Sequence, residues 1–323
     1  MATQRDVRNR ISSVKNIQKI TRAMEMVAGA RLRRAEQRIA ALRPYAEAIR
    51  RMTRQAADAA GAEASRLPLL SEHDSERKIG LLLITGDRGL AGAFNSQIVR
   101  AGVRLGGELS EQGLEVAWYA TGRRGSSSLA FRGLELSGTY TGFADSPAYA
   151  DARSVADDLM TGYVDGALDR VELIFNAYIS PLTQVVRRET LLPLAKATVT
   201  GEEGEEAAGD ASDTRGSTLG SSAGDGVAAA GSGAAGHQAL VEYEPDPEEI
   251  LKRLIPDYVE ISIYRALVES AAGFFGAQMT AMRSASENAG EIITDLTLQM
   301  NRARQAEITQ EIMEVVAGAE GLR

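Results

Sequence analysis

The chain has 323 residues, 44% hydrophobic and 25% charged, with a net charge of −8, which fits one large or two modest folded units with ordinary cores. It contains no cysteine, so disulfides, thiolate nucleophiles and zinc–thiolate sites are excluded. No apolar run approaches the roughly 20 residues that cross a bilayer, and the N-terminus lacks the apolar stretch of a secretory signal, so a soluble, cytoplasmic protein is expected.

From the start of the chain, apolar residues recur at Val7, Ile11, Val14, Ile17, Ile20, Met24 and Val27. They resume at Leu32, Ala35, Ile39, Leu42, Ala46 and Ile49. Steps of three and four sustained this long predict one helix over 1–60 with a narrow apolar seam. About 50 residues make a rod of roughly 75 Å. Pro44 should bend it locally, because proline lacks the N–H and crowds the preceding turn. The plainer reading is an ordinary core helix of unusual length. Between Arg5 and Arg54 stand fourteen bases against four acids, a surface suited to nucleic acid, anionic lipid or an acidic protein. No interleaved aromatics or nucleic-acid module accompany it, so nucleic acid is not the expected partner.

The middle of the chain, 76–195, has a different texture. Lys78 to Thr85 is a short apolar run that reads as a buried strand. It ends in Gly86-Asp-Arg-Gly-Leu-Ala-Gly92 and opens a helix to about Leu105. Glu115 to Ala120 is a second strand, followed by Gly122-Arg-Arg-Gly125 and a short helix. Ala150 to Leu168 reads as helix, Val171 to Ile179 as a third strand, and Gln184 to Leu192 as an alternating strand antiparallel to it. The β–α–β–α–β order predicts a mostly parallel sheet covered by helices.

The segment 200–240 turns to Gly, Ala, Ser, Glu and Asp, above all from Gly201 to His237. It is too poor in apolar side chains to offset its ordering entropy. A disordered acidic loop is expected, the alternative being a segment that orders on a basic partner. Over 246–319 the stripe of threes and fours returns at Tyr258, Ile261, Val268, Ala272, Phe275, Met279 and Met282. It continues through Ala289, Ile292, Leu296, Met300, Ala303, Ile312 and Val316. Pro256 is expected in the first turn, where proline is tolerated, and the helix should end near Ala317, ahead of Gly318 and Gly321. Two such rods bury their seams most economically against each other, as an antiparallel coiled coil.

Motifs for chemistry are few. Gly231-Ser-Gly-Ala-Ala-Gly236 matches GxGxxG but follows no strand, so it lacks the setting of a dinucleotide site. The Gly86–Gly92 segment does follow a strand and open a helix, where backbone N–H groups could hold an anion. Its glycine spacing is not the nucleotide fingerprint, and no GxxxxGK[ST] occurs. Asp87, Arg88, Gly89 and Gly92 therefore read as a structural strand-to-helix turn with local hydrogen bonds. His73 and His237, the only histidines, sit in polar connecting segments, so neither a triad nor a metal site is expected. No catalytic centre, cofactor or small-molecule substrate is expected.

Four blocks carry a family resemblance. Ile11-Ser-Ser-Val-Lys-Asn-Ile-Gln-Lys-Ile-Thr-Arg-Ala-Met-Glu-Met-Val-Ala28, followed by Arg31-Leu-Arg-Arg-Ala35, resembles the N-terminal signature of the gamma subunit of bacterial F-type ATP synthases. Asp87-Arg-Gly-Leu-Ala-Gly92 is similar to that family's D-R-G-L-C-G turn, with alanine where many members carry cysteine. Tyr243-Glu-Pro-Asp-Pro247 resembles the lead into its last helix, and Asn301-Arg-Ala-Arg-Gln-Ala-Glu-Ile-Thr-Gln-Glu311 its C-terminal signature.

The resemblance implies an α/β fold in which terminal helices pair as a coiled coil around a central Rossmann-like domain. It also implies a central-stalk rotor with no catalytic site of its own. The family's partners would be the ring of alternating alpha and beta subunits, the epsilon subunit and the membrane c-ring, with one copy of this chain per complex. The complex would be held peripherally at the cytoplasmic face of the cell membrane. Carried over by position, Met24, Arg304, Gln305, Thr309 and Glu311 would meet the beta subunits, and Tyr243 and Glu244 the rotor ring. Met24 also reads simply as a seam residue. The acidic insert is longer than in many bacterial members, and without cysteine it cannot act as a thiol switch. Two other classes fit less of the chain: a Rossmann-like enzyme with helical arms would need a phosphate loop, and a coiled-coil or nucleic-acid-binding rod leaves the α/β middle unexplained.

Overall fold

The computed structural model describes residues 4–61, 66–73, 75–194 and 246–320. The acidic loop, the Gly231–Gly236 match, His237, Tyr243 and Glu244 lie outside the described residues. Helix α1, Gln4–Ala60, runs unbroken through Pro44. Its partner α5, Pro247–Glu320, has 74 residues. The two are antiparallel, since rising positions on α1 meet falling positions on α5. Val7 and Ile11 cluster with Leu296, Gln18 Nε2 donates to the Ser286 carbonyl at 3.2 Å, and Arg283 Nε lies 2.9 Å from Glu25 Oε1. Gly29 faces the Met279 sulfur across the pair.

The expected seam needs correction. Val7, Ile11, Leu32, Ala35 and Ile49 are buried, but Ile17, Ile20 and Val27 are 53%, 59% and 52% exposed. On α5, Ile292, Ile312 and Val316 are likewise about half exposed. A two-helix rod hides only a narrow strip of each partner, so apolar residues flanking that strip stay outside. Ala28, not Val27, turns inward.

Helix α5 also begins earlier than its sequence suggests. The Asp246 carbonyl accepts the N–H groups of Glu249 and Ile250 at 2.9 and 3.1 Å. Pro247 therefore takes the first helical position, and Glu248 and Glu249 complement the helix dipole. Pro256 lies inside the helix rather than in its first turn. Buried Leu251 and Ile255 extend the stripe ahead of it, and that packing offsets the missing N–H. At the other end the helix runs through Gly318 to Glu320, past the expected stop at Ala317.

The central domain is a five-stranded sheet: β1 Lys78–Ile84, β2 Glu115–Thr121, β3 Leu136–Tyr140, β4 Arg170–Tyr178 and β5 Gln184–Leu192. Their order is β3-β2-β1-β4-β5, parallel except for the antiparallel β4–β5 pair. The mostly parallel sheet read from the sequence is present. Strand β3 was not foreseen, because Leu136-Ser-Gly-Thr-Tyr140 is short, lies at the sheet edge and has a glycine in its interior. The connecting helices are α2 Phe94–Glu111, α3 Arg123–Phe131 and α4 Tyr149–Val164. Helix α2 passes Leu105 because Leu109 completes its buried face.

Alternation along β1 splits the core in two. Leu82 and Ile84 join β4 residues Leu173 and Phe175, α4, the last turns of α1 and the first half of α5. Leu81 and Leu83 join α2, Leu32 and Ala35 of α1, and Phe274 and Phe275 of α5. Both terminal helices thus enter both cores. The shaft and the sheet form one packed unit around its middle.

Candidate functional sites at the seat of the shaft and along it

Strand order reverses at β1: the chain winds outward through β2 and β3, then returns beside β1 as β4. In open parallel sheets the crevice at the carboxyl ends of such strands is where ligands bind. Here α5 fills it. Ser270 Oγ donates to the Ile84 carbonyl at 3.3 Å. A Cβ placed on Gly86 would sit 3.0 Å from the Phe274 ring, so any side chain there would press on the ring that seats α5 on the end of β1. Phe274 stands edge-on to Phe94 at the start of α2, ring centroids 5.6 Å apart.

The turn that follows β1 does more than bond locally. The Asp87 carboxylate accepts N–H groups from Arg123 at 3.1 Å, Gly142 at 3.0 Å and Ala144 at 3.1 Å. It thereby ties the start of α3 and the 142–146 loop to the end of β1. That loop reaches the shaft. Asp145 Oδ2 lies 3.5 Å from Arg31 and 3.4 Å from Arg88, and Arg38 Nη1 donates to Ser146 Oγ at 2.8 Å. Arg31 also stands 5.7 Å from the Phe275 ring centroid, a cation–π distance. Gly89 leaves room for the Arg124 guanidinium, and Gly92 takes a φ of +55°. Leu90 adopts φ 64° and is 63% exposed, a conformation that costs a non-glycine residue about 1 kcal/mol.

Two further links hold the sheet to the shaft. The Tyr178 hydroxyl donates to Glu36 of α1 at 2.5 Å, and burial with that carboxylate pushes the phenol up. Arg265 of α5 bonds Glu189 of β5 and, at 3.2 Å, Glu269. Its guanidinium lies 5.7 Å from the Phe175 ring centroid. Burial pushes the Glu269 carboxyl up, and Arg265 opposes that only in part. The i,i+4 spacing of Arg265 and Glu269 is visible in the sequence. The partners distant in sequence, Asp145, Glu36 and Glu189, are not, since nothing local marks them.

The residues carried over by resemblance fall in two separate places. Met24 is half-buried, one residue before the Glu25–Arg283 pair, so it stands in the two-helix part of the shaft. Arg304, Gln305, Thr309 and Glu311 are all exposed, beyond the last two-helix cluster of Val7, Ile11 and Leu296. At 1.5 Å per residue, Arg304 lies roughly 30 Å farther along the axis than Arg283. Below the sheet, His73 Nδ1 lies 3.0 Å from Asp169 Oδ1 and its ring stacks on Tyr163, centroids 4.6 Å apart. Asp169 also accepts the N–H groups of Arg77 and Lys78, each at 2.8 Å. This histidine fastens the 66–73 segment to the start of β4.

A family model described as ATP synthase matches residues 3–322. The chain is 39% identical over 322 residues to the ATP synthase gamma chain of Rubrobacter xylanophilus, covering 100% of this chain and 99% of that one. It is 39% identical over 323 residues to the gamma chain of Moorella thermoacetica, covering 100% of both. The chain belongs to the ATP synthase gamma chain family. Family membership makes it a non-catalytic subunit of the rotating central stalk of a membrane-associated F-type complex. The fold agrees with chains of solved ATP synthases at low identity. The rotor of the Euglena gracilis mitochondrial ATP synthase aligns with TM-score 0.60 at 18% identity, over 94% of this chain and 98% of that one. The central stalk of the Tetrahymena thermophila enzyme gives 0.55 at 23%, over 83% and 99%. Among the described residues of this gamma chain, no helix is long and apolar enough to cross a membrane.

Proposed function

We propose that this chain is the shaft that carries rotation of a membrane ion ring to the nucleotide sites of a surrounding alpha–beta ring, and the reverse during hydrolysis. The sheet domain would rest with epsilon on the ring, at the cytoplasmic face of the membrane. The upper shaft would stand inside the alpha–beta ring. In this reading Met24 bears on the beta subunits in the two-helix region, and Arg304, Gln305, Thr309 and Glu311 meet them nearer the tip. Tyr243 and Glu244 would face the ring.

One observation supports the reading most. Helix α5 continues past Gln4, the first residue of α1, with no second helix beside it among the described residues, and its residues 304–317 are all exposed. Ile308, Ile312, Met313, Val315 and Val316 are among them, each 47% to 73% exposed. A bare helix with that much apolar surface is suited to a surrounding protein sleeve rather than to water. The fourteen bases of the first 54 residues add attraction to acidic loops on such a sleeve.

The experiment is Met24→Lys in the assembled complex. Met24 is half-buried and next to an acidic residue, so lysine should be accommodated without unfolding the shaft. Protons pumped per ATP hydrolysed should fall while subunit composition stays the same. Unchanged pumping per ATP would remove Met24 from the coupling contact.

A further inference from the structure

Helix α2 and strand β5 leave a groove of about 430 Å³ between them. Its floor is apolar: Ala101 and Leu105 from α2, Ile174 from β4 and Val186 from β5. Arg100 and Arg104, one turn apart on α2, stand on one wall, and Arg188 on the other. Arg100 and Arg104 are exposed and make no ion pair among the described residues. Arg188 is held in place instead. Its Nη2 donates to Glu172 Oε1 at 2.7 Å, and Glu172, only 1% exposed, also binds Arg170. One acid, Glu108, closes the lower end. At the upper end Gln97 joins this groove to a second cleft of about 240 Å³, which continues to Leu182 on the β4–β5 hairpin. Leu182 is 74% exposed. Strand β5 is the last in the sheet, so among the described residues no strand lies beside its outer backbone edge.

The chemistry of this strip narrows what it fits. From Gln97 to Glu108 it follows α2 for about 16 Å, long and open, where a compact small molecule would want an enclosed pocket. No aromatic side chain lines it, and Glu108 would repel a phosphate backbone at one end, so a nucleic acid finds neither stacking nor continuous charge. An apolar floor between guanidinium groups suits carboxylates alternating with apolar side chains, because arginine grips a carboxylate through two parallel hydrogen bonds. Arg100 and Arg104, exposed and without an acidic partner among the described residues, give this strip an attraction for such a segment.

We propose that the α2–β5 groove docks an acidic, amphipathic segment of a partner polypeptide. Its apolar side chains lie on Ala101, Leu105 and Val186, and its carboxylates lie on Arg100 and Arg104. An anchor at the upper end packs on Leu182. The site is separate from the shaft contacts assigned above and needs none of them.

The absence of native cysteine makes the test direct. Gln97→Cys is introduced into the full chain, the complex is purified with it, and this chain's only thiol is labelled with benzophenone maleimide; the unsubstituted complex, treated alike, accounts for thiols of other subunits. Illumination should join the chain to one partner subunit, at a segment where acidic and apolar residues interleave. Adding Arg100→Glu and Arg104→Glu should lower that yield about tenfold, because like charges then face each other. Both arginines are exposed, so the fold is not at stake, and Arg100→Gln with Arg104→Gln should give an intermediate yield. Adducts to lipid or to the chain itself, no adduct, or a yield indifferent to charge reversal would each overturn the proposal. Subunit composition of the same preparation separates the two ideas. An intact complex with a silent groove refutes the groove alone, whereas absence of alpha and beta subunits refutes the rotor reading.

Discussion

Replacing Asp87 with alanine should cost the gamma chain about 3 kcal/mol of stability and release the 142–146 loop from the shaft. The magnitude follows from the geometry. The carboxylate is 10% exposed and accepts three backbone N–H groups, from Arg123, Gly142 and Ala144. A hydrogen bond to a charged group contributes about 1.5–3 kcal/mol, so complete loss of three would exceed about 5 kcal/mol. Two of the three amides lie in exposed surroundings, where water replaces part of what is lost, and this brings the figure down. Asp87→Asn keeps one acceptor oxygen in place for Gly142 and Ala144 and loses the bond from Arg123, so it should cost roughly half as much. Urea unfolding of the purified chain gives the free energies, and hydrogen exchange locates them. The amides of Gly142 and Ala144 should exchange about tenfold faster or more in Asp87→Ala, while those of β1 keep their protection. A loss below about 1 kcal/mol with unchanged exchange would refute the reasoning. It would mean that the Arg31–Asp145 and Arg38–Ser146 contacts hold the loop without help from the turn.

Two further outcomes follow from the network around the shaft. Arg265→Ala removes the cation that bonds both Glu189 and Glu269. It should destabilise by about 2 kcal/mol, less than the ~3–5 for a fully buried pair because Arg265 keeps some exposure; a urea midpoint within error of the parent would count against it. Asp169 gives a pH dependence. Burial pushes its carboxyl up, but the bonds from the Lys78 N–H, His73 and the Arg77 N–H outweigh that, so its pKa is lowered on folding. A lowered folded pKa adds stability above the ordinary carboxylate value of about 4, lost as the pH falls through the folded value. Asp169→Asn should therefore be less stable than the parent at neutral pH, and the two should converge below about pH 4. Parallel stability curves down to pH 3 would show that Asp169 is not the group responsible.

What the sequence disclosed depended on how local the signal was. Long helical periodicity announced both shaft helices, and compact apolar runs announced β1, β2 and β4, because each of these features repeats within one segment. The identity of the turn at Asp87 was also legible, but its reach was not: the acceptors are on one side chain and the donors come from Arg123, Gly142 and Ala144, far away along the chain. Ile17, Ile20 and Val27 share the periodicity of the seam yet stay exposed, because periodicity finds an apolar face, whereas burial depends on how wide a strip the partner covers. Pro256 misled for a related reason. Proline usually marks a helix start, but the buried stripe through Leu251 and Ile255 carries the helix across it. The groove on α2 left no local trace at all, since Arg188 and Val186 arrive there only once β5 pairs with β4.

Burial along α5 grades from one end of the shaft to the other, and the grading bears on how it can work. From Val259 to Phe275 most side chains are buried, so this part is locked between two cores and must turn with the sheet. From Met282 to Leu296 only an occasional residue is buried, Met282, Ala289 and Leu296 among them, and the helix is held by one neighbour. After Ala303 nothing is buried through Ala317. A lone helix of this length is marginal in water, since helices shorter than about 12–15 residues gain too little to offset nucleation. The tip therefore keeps its helix through continuity with the packed part below, and through whatever surrounds it. Stiffness is greatest where the foot drives the shaft and least where Arg304 and Gln305 would touch the ring. A rod built this way transmits rotation firmly at its base and yields at its tip, so resistance there twists the single helix before it loosens the seat at Gly86 and Phe274.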